Sequence, residues 1–320
     1  MSTLSRRRLV RSAVGLLVAS ASGALATACQ QWPFQTSVQT YVPKVERAPG
    51  EVVFAPPPTL EGFTRVTKAA QPLAEALGTT TGLKVKVLVP SDPAMALLWL
   101  REGSIDIAWL GPFFYIKAKE SFGAELLLRT LVQGRPSENS VIVTRKETGI
   151  TALDQLKGRT IAATDAGDAV GWIYPAAEIK KLGIDPFRDL DVEFRADEID
   201  ALITLLSKDK DGKFRFHASF TAERAMNSKE VADKLKMPLE KIKEETNVLK
   251  KIEGVPTAVL VARPGLERKT VETLRTAIIG LKEKPDLLKP FGVDGFTEGK
   301  DADFNELRER AKMLGMSLKD

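Results

Sequence analysis

Cysteine and histidine are almost absent from this chain, and each absence excludes a class of protein. There is one cysteine and one histidine in 320 residues. A single thiol, Cys29, cannot close an intramolecular disulfide, so folding must rely on burial. A single imidazole, His217, cannot build a zinc centre from several histidines, and no Gly-x-Ser-x-Gly turn precedes it. We interpret His217 as a strand-end residue and predict neither a metal nor a catalytic site.

Basic blocks interleaved with aromatic residues are also missing. The chain carries a net charge of +5, and four of its arginines stand before residue 12 in a segment without acids. Removing that segment leaves about +1, which is no argument for binding nucleic acid. The run 208–213 alternates lysine and aspartate but lacks the spacing and terminal glutamate of a calcium loop. No nucleic acid and no cofactor is expected as a partner.

The first thirty residues follow the layout of an export signal. Three arginines at 6–8 lead into an apolar run over 14–25, then into small residues that end at Cys29. The run is short and rich in Ala, Ser and Gly for a membrane-spanning helix. We predict a signal peptide over 1–28, of twin-arginine and lipoprotein type, with Cys29 as the lipidated residue on the outer side of the cytoplasmic membrane. An ordinary secretory signal, or a buried cysteine, stays open as an alternative.

Beyond Cys29 the pattern predicts a tether over 29–50 and then an α/β chain. The tether is rich in proline and polar residues and has no sustained periodicity. Alternating apolar runs predict strands over 52–55, 84–89, 105–110, 140–144, 160–163, 191–194, 214–220 and 258–261. Apolar stripes at helical spacing predict helices over 63–77, 95–102, 153–158, 174–182, 197–206 and 271–281, with a charged helix pair over 229–251. This alternation indicates parallel sheets with helices on their faces.

Three segments resemble one known family, the phosphonate, phosphate and phosphite substrate-binding proteins of ABC importers. Residues 103–115 read GSIDIAWLGPFFY, residues 149–160 read GITALDQLKGRT, and GVDGF at 292–296 is followed by DADF at 301–304. The resemblance covers the chain from about residue 51 to its end. It implies a type II periplasmic-binding-protein fold, with two open, mostly parallel sheets joined by two crossing strands near 140–145 and 255–263.

This resemblance also implies the organisation of the chain. Lobe one would comprise 51–142 and 262–320, and lobe two would comprise 143–261. A small solute would bind between them, the lobes would close by hinge motion, and the monomeric protein would deliver its solute to an ABC permease. Ligand loops at the carboxyl ends of parallel strands agree with this picture.

The loops that would hold the solute depart from the family. Relatives hold an oxyanion in a Ser-Thr-Ser-Gly turn, and the aligned residues here are Asp168-Ala169-Val170-Gly171. Glu138 aligns with a family aromatic residue, and Asp197 aligns with a histidine. Clustered carboxylates in a cleft repel an anion and favour a cation, an amine or a metal ion. The predicted ligand-binding residues are Tyr115, Ser137, Glu138, Asn139, Asp168, Ala169, Val170, Gly171, Trp172 and Asp197.

Each of these candidates has a simpler interpretation. Asp168 and Asp197 could cap the helices that follow them, because aspartate is a preferred N-cap residue. Glu138 could be solvated, and the aromatic residues could belong to the core. At the level of function, an importer component is favoured. A solute-sensing partner of a membrane histidine kinase is the alternative, and an enzyme on the same fold is disfavoured because no nucleophile–base pair is evident.

Overall fold

The computed structural model describes residues 41–57 and 63–319, and these residues form two β-sheets with helices on their faces. The predicted signal peptide and the predicted lipidation site at Cys29 lie outside the described residues. The strands of the described part are listed in chain order: β1 (Glu51–Ala55), β2 (Lys84–Val87), β3 (Ile107–Leu110), β4 (Glu125–Leu131), β5 (Ser137–Arg145), β6 (Thr160–Ala163), β7 (Asp191–Phe194), β8 (Ala218–Ala222), β9 (Thr246–Pro256), β10 (Val259–Ala262) and β11 (Gly295–Thr297).

The helices occupy the connections between these strands. They are α1 (Phe63–Thr81), α2 (Pro93–Arg101), α3 (Pro112–Phe122), α4 (Tyr174–Lys180), α5 (Glu198–Leu206), α6 (Lys229–Leu235), α7 (Leu239–Glu245), α8 (Arg268–Ile279), α9 (Pro285–Leu288) and α10 (Asn305–Met313). Local chemistry sets several ends. Asp92 accepts a hydrogen bond from the backbone N–H of Met95 to cap α2, and Gly123 ends α3 at a φ of 75°.

Each sheet has a parallel half and an antiparallel half. The first sheet has the order β11-β4-β10-β3-β1-β2, in which β1 runs parallel to β2 and β3, and the remaining pairs are antiparallel. The second sheet has the order β7-β6-β8-β5-β9, in which β6 runs parallel to β7 and β8. Parallel pairing is therefore less extensive than predicted. The antiparallel strands β4, β5, β9 and β10 are those joined to the connections between the sheets, where no crossover helix intervenes.

The chain passes between the two sheets at 132–136 and at 257–258. The hydroxyl of Thr257 donates to the backbone carbonyls of Thr130 (2.7 Å) and Pro136 (3.1 Å), which binds the two connections together. All of β5 lies in the second sheet and all of β10 in the first. By sheet membership, the change of lobe falls before the predicted boundaries at 142 and 261. We call the first sheet and its helices lobe one, and the second sheet and its helices lobe two.

Two further segments differ from the sequence-based interpretation. The charged run 229–251 does form two helices, but its last six residues begin the edge strand β9. Part of the predicted tether also contacts lobe one. Trp99 donates its indole N–H to the Tyr41 carbonyl (2.8 Å), and Arg47 lies 3.1 Å from the buried Asp106. Among the described residues no helix is long and apolar enough to span a membrane.

Candidate functional site

The turn after β6 is closed by its own aspartate. The carboxylate oxygen Oδ1 of Asp168 accepts hydrogen bonds from the backbone N–H groups of Val170 (2.7 Å) and Gly171 (2.8 Å). These are two of the donors that the resemblance assigned to an oxyanion, and here an internal carboxylate occupies them. Asp168 therefore caps the π-helical segment Ala169–Ile173 that leads into α4.

Two glycines of this turn are required by close approaches. A Cβ atom on Gly167 would lie 2.6 Å from the ring of Phe114, which belongs to α3 of lobe one. A Cβ atom on Gly171 would lie 2.1 Å from the hydroxyl oxygen of Thr164. Both contacts are too short for any side chain, so only glycine fits. The turn of lobe two is thus packed directly against lobe one.

Beside the turn, one arginine joins two glutamates. The Nε of Arg224 lies 3.0 Å from Glu138 Oε2, and its Nη2 lies 3.1 Å from Glu198 Oε2. The two carboxylate side chains are only 15% and 14% exposed. Arg224 follows β8, Glu138 stands near the start of β5, and Glu198 opens α5, so three strand ends of lobe two meet here.

The charges of this cluster perturb one another. The pKa of Asp168 is raised to about 7: burial is the largest cause, the neighbouring Glu198 and Glu138 add to it, and the hydrogen bonds from Gly171 and Val170 oppose it. Asp168 as a residue is half-buried, but its carboxyl group is surrounded by protein atoms, which is why burial affects its pKa. Burial also raises the pKa of Glu138 against the opposing effect of Arg224, whereas Glu198 raises the pKa of Arg224. Three carboxyl groups therefore lie around one guanidinium, so the cluster has more acidic than basic groups.

A small cavity lies next to these groups, at the connection between the lobes. Its volume is about 70 Å³, and its lining residues are Val132, Gln133, Arg135, Glu138, Asn139, Glu223, Arg224 and Asn227. Asn139 donates its side-chain N–H to Glu223 (2.7 Å), which also pairs with Lys251. Ser137 is half-buried at the start of β5. The cavity has room for only a few water molecules, and its walls come from lobe two and from the connection at 132–136.

Two predicted site residues belong to the core instead. Trp172 is fully buried, and its ring packs against Phe187, Phe194 and Phe220 of lobe two. Tyr115 is 1% exposed and donates its hydroxyl to Asp301 (2.6 Å). Neither ring presents a face to a cleft. Both rings therefore agree with the simpler interpretation as core residues, and a role in binding a solute stays a prediction.

Asp197 caps a helix, which agrees with its simpler interpretation, and its role in binding a solute stays a prediction. Its Oδ1 accepts a hydrogen bond from the backbone N–H of Asp200 (2.8 Å) at the start of α5. The next residue, Glu198, carries the carboxylate that reaches Arg224. Ala169 and Val170 are buried and contribute backbone rather than side chain to the turn.

Sequence reasoning missed Glu198 and Arg224. The available signal was their position: each stands at most four residues after a predicted strand or its observed end. Among the described residues no group of three or more His, Cys, Asp or Glu side chains has the geometry to hold a metal ion. The main chemical property of the cluster is therefore its excess of carboxyl groups over the single guanidinium of Arg224.

Fold and site together define a two-lobed binding protein of the type II periplasmic class. The family model described as "ABC transporter, phosphonate, periplasmic substrate-binding protein" matches residues 60–304. The chain belongs to this family, whose members are extracytoplasmic transport components, as the three sequence segments predicted.

Two individual relatives share only short, weakly identical stretches with this chain. The chain is 27% identical to the phosphate-import protein PhnD of Mycolicibacterium smegmatis over 128 residues, which are 39% of this chain and 40% of that protein. It is 27% identical to the tetrathionate sensor histidine kinase TtrS of Salmonella typhimurium over 141 residues, 42% of this chain and 24% of the kinase. The chain thus matches less than half the length of either protein. A solved binding-protein component of an ABC phosphonate transporter from Pseudomonas aeruginosa has a TM-score of 0.64 at 17% identity, covering 83% of this chain and 86% of that one, which supports the fold alone.

Proposed function

We propose that this protein is a lipid-anchored solute-binding component of an ABC importer whose solute carries a positive charge. The family supports the role in transport. The observation that carries the choice of solute is the Asp168 carboxylate, which engages the N–H groups of Val170 and Gly171. In this proposal the protein binds the solute and closes its lobes, and it neither catalyses a reaction nor uses a cofactor.

The charges of the candidate site support a cation over an anion. A free oxyanion would have to displace Asp168 from the turn and then lie beside Glu138 and Glu198. At about 4 Å, each like-charge contact costs on the order of 1–4 kcal/mol, depending on the local screening. A protonated amine beside Glu138 and Glu198 offsets negative charge of the carboxylates that Arg224 does not neutralise. It also donates hydrogen bonds to carboxylates, which are among the stronger bonds in proteins.

A thermal-shift panel on the purified full-length protein tests the solute class. Primary amines, diamines and quaternary ammonium compounds should raise the melting temperature in a concentration-dependent way, whereas phosphite and methylphosphonate should not. Glu138→Gln should weaken the response to amines, and the control is Glu193→Gln on the edge strand β7, because Glu193 pairs with Arg195 and Arg215 and not with Arg224. A clear stabilisation by phosphite or methylphosphonate would show that the oxyanion specificity of the family is retained.

The proposed anchor is Cys29, with the segment up to residue 50 as its link to lobe one. A diacyl group and an acylated terminus give the two or more chains that stable anchoring requires. Cys29→Ser should move the protein from the membrane fraction to the supernatant of fractionated cells. The paired arginines are assigned to twin-arginine export. Replacement of Arg6 and Arg7 by lysine should then block export, whereas a general secretory signal would tolerate it.

A second candidate function is that of a sensor. The similarity to the tetrathionate sensor histidine kinase favours it. In that case the closed protein would dock on a membrane kinase and not on a permease. The two roles are separated by the neighbouring genes, a permease and an ATPase against a kinase, and by solute uptake in cells that lack the protein.

A further inference from the structure

Helix α10 lies between the two lobes, although it follows the last strand of the first sheet. It packs against α3 of lobe one on one side, and against α4 and the Asp168 turn of lobe two on the other. Leu307 and Ala311 of this helix are fully buried. They belong to one continuous apolar cluster that contains Phe113 of lobe one and Tyr174 of lobe two. The helix therefore joins the lobes through side chains, apart from the two connections of the backbone.

Arg308 attaches this helix to lobe one. Its Nη2 lies 2.6 Å from Asp301 Oδ1, and its Nε lies 3.2 Å from Glu120 Oε1 on α3. The same Asp301 oxygen accepts a hydrogen bond from the hydroxyl of Tyr115. These partners all belong to lobe one or to the segment that enters α10. The contacts made by Arg308 can therefore persist when the lobes separate.

Arg310, two residues later, attaches the helix to lobe two. Its Nη1 lies 2.7 Å from Glu178 Oε1 on α4, and its guanidinium lies 4.4 Å from the centre of the Tyr174 ring. Both charged side chains are almost enclosed, at 11% and 12% exposure. Glu306, one turn earlier on α10, accepts hydrogen bonds from the Nε and the Nη2 of Arg310. The Arg310–Glu178 ion pair therefore crosses the boundary between the lobes.

We propose that α10 is a third connection between the lobes and that the Arg310–Glu178 pair is a latch that must break before the lobes open. Helix α4 follows directly from the turn in which Gly167 touches Phe114. Movement of Phe114 away from that turn requires α10 to leave either α3 or α4. Because Arg308 holds the helix to lobe one, separation occurs at α4. This inference does not depend on the identity of the solute, so it can fail or succeed independently of the proposed function.

Hydrogen–deuterium exchange of the full-length protein, without added ligand, tests the latch. Arg310→Met and Glu178→Gln should each speed exchange about tenfold or more in 169–180 and in 305–313, because the interface opens more often. The strands β1, β3, β6 and β8 should exchange at the wild-type rate. Glu306→Gln is the matched control: it removes a partner of Arg310 on the same helix and should leave exchange in 169–180 unchanged.

Two outcomes would overturn the proposal. One is unchanged exchange in 169–180 and 305–313 in both latch variants. The other is an equal increase in all strands, which would mean that the pair only contributes to global stability. Arg308→Met provides a second check, since it should speed exchange in α3 and α10 more than in α4. Faster exchange in α4 alone in that variant would place the moving boundary on the other side of the helix.

Discussion

The hydroxyl of Ser140 donates a hydrogen bond of 2.6 Å to the backbone carbonyl of Val170. Ser140 stands on β5, the strand that also carries Glu138, and Val170 belongs to the turn closed by Asp168. Both residues are buried. One strand therefore positions the turn and one of the two glutamates around Arg224, so that the parts of the candidate site are fixed relative to one another.

Loss of the Ser140 hydroxyl should destabilise lobe two. Ser140→Ala leaves the Val170 carbonyl without its donor in a buried place, which should lower the free energy of unfolding by about 1–3 kcal/mol in urea denaturation. Ser219→Ala is a matched control, because Ser219 is also a fully buried serine of the same sheet and its hydroxyl has no partner in the described part of the chain. It should change stability little. Equal losses in both variants would argue against the role assigned to Ser140.

Stability should depend on pH through Asp168. Between an unfolded-state pKa of about 3.9 and the folded-state pKa of about 7, the folded protein keeps a proton that the unfolded chain has released. The contribution of this group to the free energy of unfolding therefore falls by about 2–4 kcal/mol as pH rises through that window. Asp168→Asn should reduce this slope in denaturation curves recorded from pH 4 to pH 8, and the remainder comes from other buried carboxyl groups such as Glu138. Asp165→Asn, in the same turn, should keep it, and an unaltered slope in Asp168→Asn would contradict the prediction.

Removal of the shared guanidinium should be costly. Arg224→Met leaves Glu138 and Glu198 enclosed without a partner, which typically destabilises by about 3–5 kcal/mol at neutral pH. The loss should shrink at pH 5, because burial raises the pKa of Glu138 and so favours its neutral form as the pH falls. Arg215→Met is the control, since Arg215 is a 59% exposed residue paired with Glu193, and such pairs contribute about 0–1 kcal/mol. Thermal or urea denaturation at both pH values measures the difference.

Tyr115 should contribute to the stability of the fold and not to binding of the solute. Tyr115→Phe keeps the ring against Phe304 but removes the hydrogen bond to Asp301, so unfolding should become easier by about 0.5–1.5 kcal/mol. Its response to amines in the thermal-shift panel should match that of the wild type. Tyr41→Phe changes a 72% exposed residue and serves as the control for stability. A selective loss of the amine response in Tyr115→Phe would show that Tyr115 contributes to binding of the solute.

Periodicity predicted the elements that carry their own pattern. Strands β6 and β7 have the predicted bounds, and β1 and β2 differ by a few residues, because short apolar or alternating runs bounded by turn residues favour extended structure regardless of context. The edge strand β9 was missed because charged and polar residues interrupt its apolar ones, and its pairing with β5 makes it a strand. The balance of parallel and antiparallel pairing was likewise not evident, because it depends on where the connections between the sheets fall.

The sequence alone determined the family, the two-lobed α/β fold and the replacement of hydroxyl groups by Asp168 in the turn, since each of these is written in local residue types and short segments. Only the tertiary structure decided which acidic groups meet. It brought Glu138, Glu198 and Arg224 together from three strand ends, turned Asp197 into a helix cap and placed Trp172 in the core. These assignments depend on side-chain directions and on burial between distant segments, which no local pattern encodes.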